Sequence, residues 1–253
     1  MRHSTTFKVS DPGFKQRLLA WTATHKIFCI LESNSTKQSF TDKFSAFDFI
    51  IAIDAIDEIE KQEPGDSFTS LKNFYESKND WIFGFLTYDL KNETEDLPSE
   101  RQDGNDFPAI HFFQPRLILK LNIENDNLEI LYLEDVDDES TIQKVITEIS
   151  GTEIMQQDEM EVHVQQTISK EEYISTVTHI KQHIQLGDIY EMNYCVDFFA
   201  EESVINPIET YCRLNEASPM PFSCFYRNAG HYLLCARPER FLEKEKIKLS
   251  LSR

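Results

Sequence analysis

Residues 110–133 read IHFFQPRLILKLNIENDNLEILYL. Two apolar runs, Ile110–Leu121 and Leu128–Leu133, flank the polar turn Glu124–Asn127, so the stretch reads as a strand pair. Strand character recurs on the N-terminal side, at His25–Glu32 (HKIFCILE), Phe44–Ile53 and Trp81–Tyr88 (WIFGFLTY). Gly84 lies in the middle of the third, which signals a bulge or a close backbone approach. Lys91–Asp106 is polar, acidic and rich in turn residues, and is expected to be a surface loop. On the C-terminal side Thr141–Ile149 has the look of a short helix, and the acidic stretch Ser150–Glu161 that of a linker. A second helix is better signed. Ser169 and Glu172 form a capping box, Ile174, Val177, Ile180 and Ile184 share a face, and Gly187 is placed to stop it. Ile189–Ala200 is expected to leave that helix as a strand. Asn206-Pro207 starts another helix, and Phe222–Tyr226 with His231–Ala236 form a hairpin around Asn228–Gly230. Strands dominate, with a few amphipathic helices between them, which is α+β rather than alternating β-α-β. Two regions are expected, 1–150 and 151–253.

The 253 residues suffice for a sizeable core, and 40% of them are hydrophobic. Lys and Arg number 25 against 44 Asp and Glu, a formal charge of −19. Such a balance opposes docking on nucleic acid or on anionic membranes, which takes a basic face. The longest apolar stretch, near Ala46–Ile53, is broken by Asp48 and is too short to span a bilayer. The N-terminus has no apolar signal core. The five cysteines, Cys29, Cys195, Cys212, Cys224 and Cys235, are widely spaced without a CxxC pair. Cys29, Cys195, Cys224 and Cys235 fall in apolar runs, where a free thiol is expected buried. Reduced thiols in a cytoplasmic protein are the simplest account.

The sequence contains no GxxxxGK[ST], GxGxxG, GxSxG or HExxH motif. His179 and His183 stand four apart on one helix and could face a metal, but an exposed polar face beside Lys181 and Gln182 is the plainer account. From residue chemistry alone no active site is readable.

Five short motifs, in order along the chain, resemble those of the chorismate-using enzymes. They are Ile30–Ser33 (ILES), Gly84–Asp89 (GFLTYD), Gly187–Tyr194 (GDIYEMNY), Ser218–Ser223 (SPMPFS) and Arg237–Leu242 (RPERFL). The spelling GDIYEMNYC is most similar to component I of aminodeoxychorismate synthase, and less so to component I of anthranilate synthase. The resemblance implies an α+β fold with two packed, mainly antiparallel sheets and flanking helices. It implies replacement of the ring hydroxyl of chorismate, with Mg²⁺ as cofactor and ammonia from a separate glutamine amidotransferase subunit. The product would serve 4-aminobenzoate and folate synthesis. A different class of reading is a non-catalytic remnant that binds tryptophan or the amidotransferase subunit.

Carried over residue by residue, Glu239 matches the motif's carboxylate, a candidate general acid for the departing hydroxyl, since loss of hydroxide needs a proton donor. A salt bridge to Arg240 is the plain alternative. Arg237 stands where the family carries a small residue, and a cation there lowers the pKa of Glu239 and weakens it as an acid. Glu32, Ser33, Pro219 and Ser223 match the segments that build a tryptophan pocket. Otherwise ILES ends a core strand and SPMPFS is a rigid turn. Tyr190 and Asn193 are candidates to line the substrate cavity, whereas Gly187 and Asp188 are expected to be structural. No metal ligand is assigned. The family continues beyond its PERF motif to a segment PIKGT that holds its catalytic lysine, followed by the elements that bind chorismate and Mg²⁺, and this chain ends at KIKLSLSR. A synonymous codon choice for Lys246–Arg253, continued a few bases, reads as that segment in another frame. A reading-frame slip near Lys246 and no chorismate turnover by the chain alone are therefore expected.

Overall fold

The computed structural model describes residues 1–34, 48–97, 104–154, 161–238, 242–245 and 248–250. In chain order the elements are β1 (Arg2–Lys8), α1 (Phe14–Thr22), β2 (Ile27–Glu32), β3 (Phe49–Lys61), α2 (Ser67–Lys78), β4 (Phe83–Leu86) and a 3-10 turn (Tyr88–Glu93). They continue with β5 (Ile110–Asn122), β6 (Asn127–Leu133), α3 (Glu139–Gly151), β7 (Gln165–Gln166), α4 (Lys170–Leu186) and β8 (Phe198–Phe199). The last are α5 (Pro207–Ala217), β9 (Phe222–Asn228), β10 (His231–Arg237), β11 (Glu243–Glu245) and β12 (Lys248–Ser250). This is an α+β architecture whose sheets are antiparallel, as expected. Two compact units divide the chain, Met1–Gln156 with Pro207–Arg253, and Gln157–Asn206. The expected boundary at 150/151 falls inside α3.

In the first unit an eight-stranded sheet runs β1-β6-β5-β3-β2-β9-β10, with β4 also on β5. β11 and β12 form a separate ribbon. Alternation along the strands splits the apolar residues between two faces. One face carries Phe28, Ile30, Ile51, Leu119, Ile130 and Phe225, and packs against Leu18 of α1, Ile142, Val145 and Ile149 of α3, and Tyr211 of α5. The other carries Cys29, Ile50, Ala52, Phe113, Ile118 and Tyr226, with Phe83 of β4. On this second face the buried His111 ring pairs through Nδ1 with the Tyr226 hydroxyl, and burial pushes that phenol far above its ordinary range.

β5 pairs with three strands, β3, β4 and β6, and Pro115 sets that pairing. Proline has no N–H to give a ladder. β4 pairs up to Phe113 and β6 begins at Ile118, both antiparallel to β5. Across the strand, β3 shifts register between Ala55 and Asp57, opposite Pro115 and Gln114. Arg2 serves the carbonyls of the interrupted stretch. Its Nη1 donates to Arg116 O at 3.1 Å and its Nη2 to Pro115 O at 2.5 Å, while Nε and Nη2 each reach Asp80 Oδ2 at 3.1 and 2.9 Å. The Arg2 side chain is 4% exposed. Gly84 meets the close approach that its position signals. A Cβ there would lie 2.1 Å from the His111 carbonyl oxygen and 2.6 Å from Phe112 Cα.

Several expectations are revised. Polar β1 and helices α1 and α2 have no counterpart in the sequence reading. The strand expected at Phe44–Ile53 starts at Phe49 and runs on through the acidic stretch to Lys61, while residues 44–47 lie outside the described set. The expected loop 91–106 opens inside the 3-10 turn. Of Ile189–Ala200 only Phe198–Phe199 is strand, because a strand needs a partner and the short β7 pairs with those two residues alone. Cys195 accordingly is exposed, whereas Cys29 is buried and Cys224 and Cys235 are half-buried. No helix among the described residues is long and apolar enough to cross a membrane.

Candidate functional site

The period-2 alternation of β2 places Phe28, Ile30 and Glu32 on the helix-covered face. Glu32 is 4% exposed, and a buried carboxylate needs donors. Lys15 of α1 pairs with Oε1. From α5, Asn215 Nδ2 donates to Oε2 at 3.1 Å, and the Tyr211 hydroxyl donates to the same oxygen at 3.4 Å. Tyr211 and Asn215 stand four apart, so one helix face delivers both donors. Burial, and then the negative charge of Glu32, push the Tyr211 phenol well above its ordinary range.

Two residues further, Asn34 adopts the left-handed conformation (φ 52°), which asparagine tolerates better than most residues. Its Nδ2 donates to Met220 O at 2.9 Å and to Ser223 Oγ at 3.1 Å. Ser223 Oγ in turn donates to Met220 O at 3.0 Å. Asn34 Oδ1 is buried without a hydrogen-bond partner. Ser33 turns elsewhere and donates through its N–H to Asp48 O at 3.0 Å. Asn34 Nδ2 also lies 3.4 Å from Asn215 Oδ1, so of the four residues expected here the structure joins Glu32 and Ser223 through Asn215 and Asn34. Pro219 is half-buried in the turn before β9, next to Met220. Lys15, Asn34, Tyr211 and Asn215 escaped the sequence reading. The i, i+4 spacing of Tyr211 and Asn215 was an available signal, whereas nothing local marks Lys15 as reaching Glu32. Chemically, a carboxylate ringed by donors, near a free carboxamide oxygen, is a receptor for an ammonium group, and the Lys15 ammonium occupies it.

The second unit holds the Gly187–Tyr194 motif. Ser169 and Glu172 make the expected capping box, with Glu172 Oε2 accepting from Ser169 N at 2.8 Å. Gly187 closes α4 in the left-handed conformation (φ 82°). Asp188 Oδ2 lies 2.7 Å from His183 Nδ1 and its N–H donates to the His183 carbonyl, which fits the structural role expected of it. Tyr190 is 91% exposed and Asn193 is also exposed within this unit. The His179 and His183 rings lie edge to face at 5.1 Å.

Arg237 ends β10 opposite Phe222. Glu239 and Arg240 lie outside the described residues. Among the described residues no group of three His, Cys, Asp or Glu side chains could hold a metal ion, so they offer Mg²⁺ no built site.

The profile of the chorismate binding enzyme family matches residues 21–252. Over 172 residues the chain is 26% identical to an anthranilate synthase component I-like protein of Synechocystis sp., covering 65% of this chain and 34% of that protein. It is 22% identical over 171 residues to aminodeoxychorismate synthase component 1 of Bacillus subtilis, covering 64% of this chain and 36% of that protein. The chain therefore spans about a third of the length of these relatives. It is 24% identical over 261 residues to the chloroplastic aminodeoxychorismate synthase of Arabidopsis thaliana, covering 95% of this chain and 27% of that protein. Among solved structures, anthranilate synthase component I from Streptococcus pneumoniae superposes with a TM-score of 0.65 at 18% identity, over 83% of this chain and 53% of that one. That likeness establishes the fold.

Proposed function

This chain belongs to the chorismate binding enzyme family, and on that premise we propose that the polypeptide carrying it is component I of an aminodeoxychorismate synthase. It replaces the ring hydroxyl of chorismate with an amino group, giving 4-amino-4-deoxychorismate. A glutamine amidotransferase subunit supplies the ammonia and Mg²⁺ is the cofactor. The observation that carries this reading is the ordered set of motifs within a family match spanning residues 21–252. Glu239 is the proposed proton donor to the departing hydroxyl, and Tyr190 and Asn193 are proposed to face the substrate.

The Glu32 cluster supports a regulatory role beside the reaction. Its carboxylate anchors the amine of a bound tryptophan, whose ammonium displaces that of Lys15. Asn34 Oδ1, buried and without a partner, is a second acceptor for that ammonium.

A second reading is anthranilate synthase component I. It is favoured by relatives of that name, including the component 1 of Acetivibrio thermocellus at 26% identity over 190 residues. Complementation separates the two. Expression of the polypeptide that carries this segment, in a strain lacking its own aminodeoxychorismate synthase component I, should restore growth without 4-aminobenzoate. Rescue of a tryptophan auxotroph lacking anthranilate synthase component I, and of that strain alone, overturns the proposal in favour of the second reading.

A further inference from the structure

Three of the five cysteines share the sheet face turned away from α1, α3 and α5. Cys29 of β2 packs in the second apolar cluster with Tyr226, and Cys224 of β9 lies against it. Cys235 of β10 is the direct ladder partner of Cys224, and its neighbour Leu234 packs on the opposite, helix-covered face. Directly opposed residues of antiparallel strands point the same way with Cα atoms roughly 4.5–5.5 Å apart. A disulfide spans Cα separations of roughly 4.4–6.8 Å. The backbone therefore already holds these two thiols where a bond between them needs no strand movement. Their exposure differs from that of Cys29. Cys224 and Cys235 are half-buried, whereas Cys29 is 4% exposed. Among the described residues β10 is the end strand of the sheet, which makes Cys235 the outer thiol of the pair.

We propose that Cys224 and Cys235 are a reversible modification site, a dithiol that low-molecular-weight disulfides such as oxidised glutathione close to an intramolecular disulfide. The Cys235 thiolate attacks one sulfur of oxidised glutathione and expels glutathione thiolate, leaving a mixed disulfide. The Cys224 thiolate then attacks the Cys235 sulfur and expels the second glutathione. Two protein thiols are oxidised and one glutathione disulfide is reduced to two thiols, which take up the two protons. Burial raises the Cys235 thiol above its ordinary pKa, so closure speeds up as pH rises through the thiol range. The bridge would staple the end strand that runs directly into Arg237. The site does not depend on which chorismate reaction the protein performs.

Trypsin cuts after Arg227, between the two cysteines, so a bridge joins two peptides that reduction separates. The full chain is incubated with oxidised glutathione at alkaline pH, remaining thiols are alkylated, and digests are compared with and without reductant. The expected product is a linked pair of peptides holding Cys224 and Cys235, formed faster at higher pH and reversed by reduced glutathione. Cys235→Ser abolishes it, and Cys195→Ser, which removes the exposed thiol of the other unit, leaves it intact. A circular dichroism spectrum like that of the parent shows that Cys235→Ser is folded. Glutathione held as a mixed disulfide on Cys195 alone, or a linked pair that forms equally from other cysteines in denaturant and in buffer, overturns the proposal.

Discussion

Replacing Arg2 tests the organisation of the sheet, because this side chain serves the carbonyls beside Pro115. Arg2→Met keeps the apolar stem and removes the guanidinium. Its loss strands the Pro115 and Arg116 carbonyls, and leaves Asp80 with Gln114 Nε2 at 2.7 Å in place of a bidentate arginine. An unsatisfied buried polar group costs about 1–3 kcal/mol and breaking a buried ion pair about 3–5 kcal/mol. These losses overlap, and Asp80 keeps a donor, so the expected destabilisation is about 3 kcal/mol. With a urea slope of about 2–3 kcal/mol/M the unfolding midpoint falls by roughly 1 M. The effect has a pH signature. Burial raises the Asp80 carboxyl, but hydrogen bonds from Arg2 and Gln114 outweigh it, and the group sits below its ordinary value. A lowered acid contributes stability above its unfolded pKa of about 3.9 and loses it as pH falls through the folded value. The gap between wild type and Arg2→Met should therefore be full at neutral pH and narrow below pH ~4. Urea titrations at several pH values, repeated on Asp80→Asn and the double variant, measure this. A midpoint shift under about 0.3 M, or single-variant losses that simply add, would refute the role given to Arg2.

Gly84→Ala forces a Cβ against the His111 carbonyl and should cost about 3 kcal/mol, at the upper end for overpacking, while Gly151→Ala, with nothing within 4 Å, should be neutral or slightly stabilising. Thermal unfolding of the two variants compares them, and equal melting temperatures would contradict the close approach. Ser169→Ala removes the α4 capping box and should cost the second unit about 1 kcal/mol, seen as faster amide exchange over Lys170–Leu186. Lys15→Met frees the Glu32 carboxylate and should tighten tryptophan binding about tenfold, roughly the 1.4 kcal/mol of an ion pair no longer displaced. Calorimetry that finds weaker binding removes the amine-anchor assignment. Asp138 caps α3, and its bonds to Thr141 and Ser140 hold its carboxyl down to about 2. The stability it lends is present above pH ~4 and lost on approach to 2, so Asp138→Ala should flatten the acid limb of a pH–stability curve.

Where burial and local signals agreed, the chain was legible. The β5–β6 pair, the β9–β10 hairpin and the caps of α4 all follow from apolar runs bounded by residues with one preferred backbone role. β1 escaped because RHSTTFK is polar, and its place is fixed by the ladder to β6 and by the long reach of Arg2. α2 escaped for a similar reason, since Ser67 is its one buried residue and apolar periodicity has little to register. Ile189–Ala200 misled in the opposite direction. Its apolar and aromatic residues suggest a strand, yet Tyr190, Met192 and Phe198 are exposed. The candidate site divided along the same line. Glu32 and Ser223 lie in the motifs ILES and SPMPFS, whereas Lys15 and Asn34 enter through tertiary distance and a left-handed backbone that no periodicity records.

The proposed amination of chorismate is measured most directly by its product. The polypeptide carrying this segment is given chorismate, ammonium and Mg²⁺, and the products are separated and identified by mass. The expected product is 4-amino-4-deoxychorismate, with formation lost in Glu239→Gln. Anthranilate as the product, or amination that survives Glu239→Gln unchanged, would contradict it.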